Sequence, residues 1–210
     1  MPSRIDIITF HDPPAPPGES AYLPGAGPQP AVQVAEPNPA WAAWYVELAA
    51  RIEDALGWRA LDVQHVGSTA VARLPAKPII DIDLTVADPD DEPAYLPALE
   101  AVGFELRVRE PWWFGHRVLR ATAPRCHLHV FGYDSPELVK HRLFRDWLRG
   151  NPSDRERYAA AKLDAAAEAN AAGEHSMQYN ARKERVVREI YRRAFVATGL
   201  LTAGDPGWER

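Results

Sequence analysis

The sequence predicts an α+β fold, a sheet flanked by helices with a helical portion following it. Three observations lead there. Runs of alternating apolar and polar residues, the period of a half-buried strand, cluster between residues 60 and 133. From Pro136 onward the apolar period lengthens to that of a helix. Strands first and helices afterwards is the order of an α+β chain. Residues 11 to 39 fit neither pattern, because their prolines fix φ and remove backbone donors. The expected division is a proline-rich arm (1–39), an α+β core (40–135), a helical portion packed on it (136–200) and a tail (201–210).

The opening "RIDIITF" is short and apolar. The arm after it should be extended and draped over the surface, or anchored by Tyr22 and Leu23. In "NPAWAAWYVELAARIEDALG", Trp41, Trp44, Tyr45, Leu48, Ile52 and Leu56 recur at helical spacing, with Gly57 as C-cap. "ALDVQHV" alternates like a strand. "KPIIDIDLTVA" is a second strand, with Ile80, Ile82, Leu84 and Val86 on one face and Asp81, Asp83 and Thr85 on the other. "EPAYLPALEAVGFE" reads as a helix ending at Gly103. "ELRVREPWWF", "RVLRATA" and "RCHLHVFGY" read as strands. Three helices complete the chain: one capped by Ser135 with Pro136 at its first position, one beginning near Ser153, and one through "MQYNARKERVVREIYRRAFVATG".

With 210 residues, 46% of them hydrophobic and 25% charged, the chain can build one substantial core. A net charge of −5 argues against a broad footprint for nucleic acid or an acidic membrane surface. No apolar run approaches a membrane span, and "MPSRIDIITFHDPP" lacks the apolar region and cleavage site of a signal peptide. A cytoplasmic location is expected. Cys126, the single cysteine, leaves no intrachain disulfide and no cysteine-cluster zinc site.

The chemistry concentrates in "HVGSTAVARLPAKPIIDIDLTV". Asp81 and Asp83 share one strand face about 7 Å apart, where two negative charges repel by roughly 2 to 3 kcal/mol at an effective dielectric near 20. A divalent cation between them would turn repulsion into attraction, and oxygen ligands suit Mg²⁺ or Mn²⁺. A polar strand face meeting water is the structural alternative. Gly67 and Ser68 offer main-chain N–H groups and a hydroxyl that can cradle phosphate, aided by a helix dipole if "STAVARL" starts a helical turn. Lys77, at the strand entry, could reach that phosphate with its charge or simply meet solvent. His65 could orient Asp81 or simply pack within its strand.

Gly67-Ser68 followed by Asp81-x-Asp83 resembles the signature of the nucleotidyltransferase superfamily, typified by DNA polymerase β and the aminoglycoside adenylyltransferases. More closely, "HVGSTAVARLPAKPIIDIDL", "HLHVF" and "LFRDWLRGNP" resemble the GrpB-like family over roughly residues 40 to 195. The resemblance implies a nucleotidyltransferase-like mixed sheet in which Gly67 and Ser68, with Thr69 beside them, hold triphosphate and Asp81 and Asp83 bind metal. Arg145 and Lys183, on the later helices, are implied to close over the nucleotide with Lys77. The third carboxylate of such sites is missing here. Its strand reads "RCHLHVF", with His127 and His129 on one face. Imidazole there suits Mn²⁺ or Zn²⁺ better than Mg²⁺, and His129 could act as general base beside Asp81 and Asp83. The leading expectation is a metal-dependent nucleotidyltransferase that uses a nucleoside triphosphate and an unidentified small acceptor. The alternatives are a non-catalytic nucleotide or phosphometabolite binder on the same fold, and an interaction module whose aspartates pair with arginines. Oligomeric state is left open.

Overall fold

The computed structural model describes residues 1–11 and 13–202. Among these described residues five strands, β1 (Asp62–Val66), β2 (Ile80–Val86), β3 (Glu105–Glu110), β4 (His116–Thr122) and β5 (Arg125–Gly132), form one sheet in the order β1-β2-β5-β4-β3. β2 and β5 run parallel and the other pairs antiparallel, so the sheet is mixed. The helices are α1 (Arg4–Ile8), α2 (Ala40–Leu56), α3 (Leu96–Ala101), α4 (Pro136–Gly150), α5 (Pro152–Ala171) and α6 (Ser176–Ala197). Among the described residues, no helix is long and apolar enough to cross a membrane.

Strand alternation divides the sheet into two unlike faces. Val63, Ile80, Ile82, Leu84, Leu119, Leu128 and Val130 point to one side and pack under Leu48, Ile52 and Leu56 of α2 and Leu99 of α3. Burying that face supplies most of the core's hydrophobic stabilisation. The opposite face carries Asp81, Asp83, His127 and His129, and the C-terminal helices cover it. A second cluster joins Val71 and Leu74, just past the Gly-Ser turn, to Leu148, Tyr158 and Ile190. The helical portion is therefore seated on the turn as well as on the sheet.

The helix expected over "EPAYLPALEAVGFE" is broken. A 3-10 turn (Glu92–Ala94) precedes α3, because Pro97 has no N–H to continue the ladder across the junction. "STAVARL" forms only the short 3-10 turn Ser68–Ala70, so the turn itself brings no long-helix dipole to the site.

Both sheet edges are covered, which protects them from pairing with other chains. The proline-rich segment is extended. Leu23 N–H donates to Arg107 C=O (3.1 Å) and Arg109 N–H to Ala21 C=O (2.9 Å), so it lies along the open edge of β3. Further on, Ala35 bridges Ala76. Val32 is 2% exposed, and the Asn170 amide both accepts from its N–H (3.1 Å) and donates to its C=O (2.8 Å). At the other edge, Tyr45 hydroxyl donates to Val63 C=O (3.0 Å) and Arg145 to His65 C=O (2.9 Å). Of the tail expected at 201–210, residues 203–210 lie outside the described residues.

Candidate functional site

The register of β2 against β5 builds the site. Asp81 sits opposite His127 and Asp83 opposite His129, so residues 46 positions apart become neighbours on one face. One ligand atom from each of Asp81, His127 and His129 lies within 4.8 Å of the others, a span that a single ion with bonds near 2 Å can bridge. His127 Nδ1 is 3.4 Å from an Asp81 oxygen. Burial pushes the Asp81 carboxyl up, but His127, His129 and Lys77 outweigh it and hold the group at about 2. Burial lowers His129 to about 3, so its imidazole is neutral at pH 7 and has a lone pair to offer.

Gly67 bears directly on Asp81. Its φ is +66°, and a Cβ built there would lie 2.4 Å from Asp81 Oδ2. Only glycine lets the turn come this close to the carboxylate.

Turn, strands and helices together enclose a cavity of about 300 Å³, lined by Gly67, Ser68, Lys77, Asp81, His127, His129 and His141, with Tyr158 and Lys162 from α5 and Tyr179, Asn180 and Lys183 from α6. Lys183 Nζ lies 5.0 Å from the Tyr179 ring centre and 5.7 Å from that of Tyr158. Lys77 Nζ is 5.7 Å from the Tyr179 ring centre. Lys162 is 2% exposed and donates to Pro75 C=O (2.5 Å). Burial lowers the pKa of both Lys77 and Lys162, and Lys183 adds repulsion to each. Three amino groups thus converge on one recess, and a single carboxylate, Asp81, partly relieves their mutual repulsion.

Several expected residues lie elsewhere. Asp83 is buried and faces α4, where His141 Nδ1–H donates to both its oxygens (3.1 and 2.9 Å). It does not join the three-residue cluster. Thr69 is buried beneath the turn, with its hydroxyl 3.0 Å from His65 Nε2. His65 stacks on Tyr45, on the face away from the cavity. Arg145 spans Gln64, His65 C=O and Asp146, outside the cavity lining.

The sequence reading missed Glu110 and His116. His116 Nε2 is 3.0 Å from His129 Nδ1, and His116 Nδ1 is 2.7 Å from Glu110. A histidine at the start of β4 carries no local signal of this contact, which depends on β4 pairing with β5.

This sheet order, with a Gly-Ser turn and an acidic strand facing a helical cover, defines a nucleotidyltransferase-like α+β protein. The family described as GrpB protein matches residues 31–193, and the chain belongs to that family. The match starts inside the proline-rich arm, where Val32 and Ala35 are tied to the domain. The chain is 45% identical over 163 residues to a UPF0157 protein of Halalkalibacterium halodurans, covering 78% of this chain and 82% of that one. It is 47% identical over 122 residues to a UPF0157 protein of Streptomyces coelicolor, covering 58% and 63%. The crystal structure of conserved protein GrpB from Enterococcus faecalis superimposes with a TM-score of 0.68 at 29% identity, covering 80% of this chain and 99% of that one.

Proposed function

We propose that the protein is a metal-dependent nucleotidyltransferase acting on a nucleoside triphosphate and a small acceptor. One observation carries this reading: the Asp81–His127–His129 cluster shares a cavity with the Gly67-Ser68 turn and three lysines. One carboxylate and two imidazoles suit Mn²⁺ or Zn²⁺ better than Mg²⁺, which prefers oxygen ligands throughout. A divalent cation bound there would neutralise phosphate oxygens and acidify the acceptor group. Ser68 and the turn's N–H groups hold the phosphates, Lys77, Lys162 and Lys183 balance their charge, and Tyr158 and Tyr179 wall off water. The acceptor's oxygen or nitrogen attacks the α-phosphorus, the bond to the β-phosphate oxygen breaks, and pyrophosphate leaves. Asp81, through the carboxylate oxygen that the cation leaves free, would receive the acceptor's proton.

A second reading, a non-catalytic binder of nucleotides or phosphometabolites, is favoured by Asp83. Its carboxylate is held by His141, leaving one acidic ligand in the cluster. Calorimetric titration of MnCl₂ and labelled triphosphates, followed by assay of pyrophosphate release over a panel of small alcohols and amines, tests both. Release that requires Asp81 supports transfer. Binding without release across the panel favours the binder, and no binding of metal or triphosphate removes the transferase and the nucleotide binder.

A further inference from the structure

Glu110, His116 and His129 form a single file of hydrogen bonds that ends at the cluster. Glu110 Oε2 lies 2.7 Å from His116 Nδ1, and His116 Nε2 lies 3.0 Å from His129 Nδ1. The two imidazole planes differ by only 9° with centroids 5.3 Å apart, a geometry that permits an in-plane N–H···N bond between them. His116 is 4% exposed. Phe131 stacks on it at 4.6 Å and Trp113 meets it edge-on at 4.8 Å, so packing fixes its ring orientation.

We infer that Glu110 and His116 are positioning residues that fix the tautomer of His129, leaving its Nε2 bare toward Asp81 and His127. An ionised carboxylate only accepts, so Glu110 requires the proton of His116 on Nδ1. The Nε2 of that ring is then an acceptor and requires the proton of His129 on Nδ1. The remaining nitrogen of His129 carries only a lone pair, the form that a metal ligand or a base needs. No step of this assignment draws on a bound ion, and its consequence for metal binding rests on the function proposed above. The arrangement extends the carboxylate–histidine support of metal-ligating imidazoles by one more ring.

The experiment uses the full metal-free chain. Long-range ¹H–¹⁵N correlation of the imidazoles reads the tautomers directly, and calorimetry with MnCl₂ and ZnCl₂ reads affinity. In the parent, His116 and His129 should both be protonated on Nδ1. His116→Phe keeps the aromatic packing and removes the acceptor, so His129 should lose its single tautomer and metal affinity should fall about 10- to 100-fold. Glu110→Leu is the second variant in case His116→Phe does not fold, and it should release both rings. Glu110→Gln, which retains an acceptor oxygen, should keep most of the effect. An Nε2-protonated His129 in the parent overturns the inference. So does a folded His116→Phe or Glu110→Leu that keeps both tautomer and affinity. A parent with the expected tautomers that binds neither ion upholds the tautomer assignment and removes the metal centre instead.

Discussion

His141 and Asp83 are joined across the boundary between helix and sheet, with Nδ1 2.9 Å from a carboxylate that is only 1% exposed. An unpaired aspartate at this depth would cost several kcal/mol, so α4 supplies what the acidic strand needs. The contact also ties the helical cover to the strand that carries Asp81.

The pair makes stability depend on pH in the alkaline direction. Burial opposes the imidazolium, but the charge and hydrogen bond of Asp83 outweigh it and raise His141 to about 9. A raised pKa gives stability that is full below the unfolded value near 6.5 and lost as pH climbs through 9. Against His141→Gln, the parent should therefore lose on the order of 3 kcal/mol between pH 6 and pH 9.5 in urea unfolding. A difference between the two proteins that stays constant over this range would show that the pair is not ionic.

Gly67→Ala should be severe for a surface-turn substitution. It places a side chain at φ +66° and a Cβ 2.4 Å from Asp81 Oδ2. The expected cost is on the order of 2 to 4 kcal/mol, with metal binding lost as Asp81 is displaced. Unfolding and manganese titration of this variant check both effects. Parental stability would mean that the turn does not approach the carboxylate.

Lys183 and Arg145 should separate binding from architecture. Lys183 lines the cavity, whereas Arg145 caps the carbonyl of His65 on the β1 edge. Lys183→Met should weaken triphosphate binding at least tenfold, the scale of one charge-assisted hydrogen bond, with little change in the melt. Arg145→Met should lower stability by about 1 to 3 kcal/mol and leave triphosphate affinity near the parent's. Calorimetry and melting of the two variants side by side would show an exchange of these effects if the assignment is reversed.

Asn170→Ala should loosen the proline-rich arm without touching the cavity. Both hydrogen bonds that hold the main chain of Val32 come from this one amide. The loss should be about 1 to 3 kcal/mol, with faster hydrogen exchange at the Val32 amide. Unchanged protection at that amide would place the arm's anchor elsewhere.

Local sequence patterns determined much about this protein. Periods of two and 3.6 are set by backbone geometry, so strands at "DVQHV", "IDIDLTV" and "RCHLHVFG" and the long helices could be read directly. Prolines marked the arm as extended for the same local reason. The Gly-Ser turn beside Asp81 was legible because glycine's freedom at positive φ is a property of one residue. Tertiary structure decided which polar side chains meet. Asp81 and Asp83 look equivalent in the strand, but β2 pairs with β5 so that one faces His127 and the cavity while α4 claims the other. Thr69 turned inward and Arg145 was taken by a sheet edge, choices that depend on distant partners for buried donors and acceptors. The bond between His116 and His129 exists only because β4 pairs with β5. A hydrogen bond between strands is specified by register, and register is fixed by burial of the whole apolar face, which no short stretch of the chain encodes.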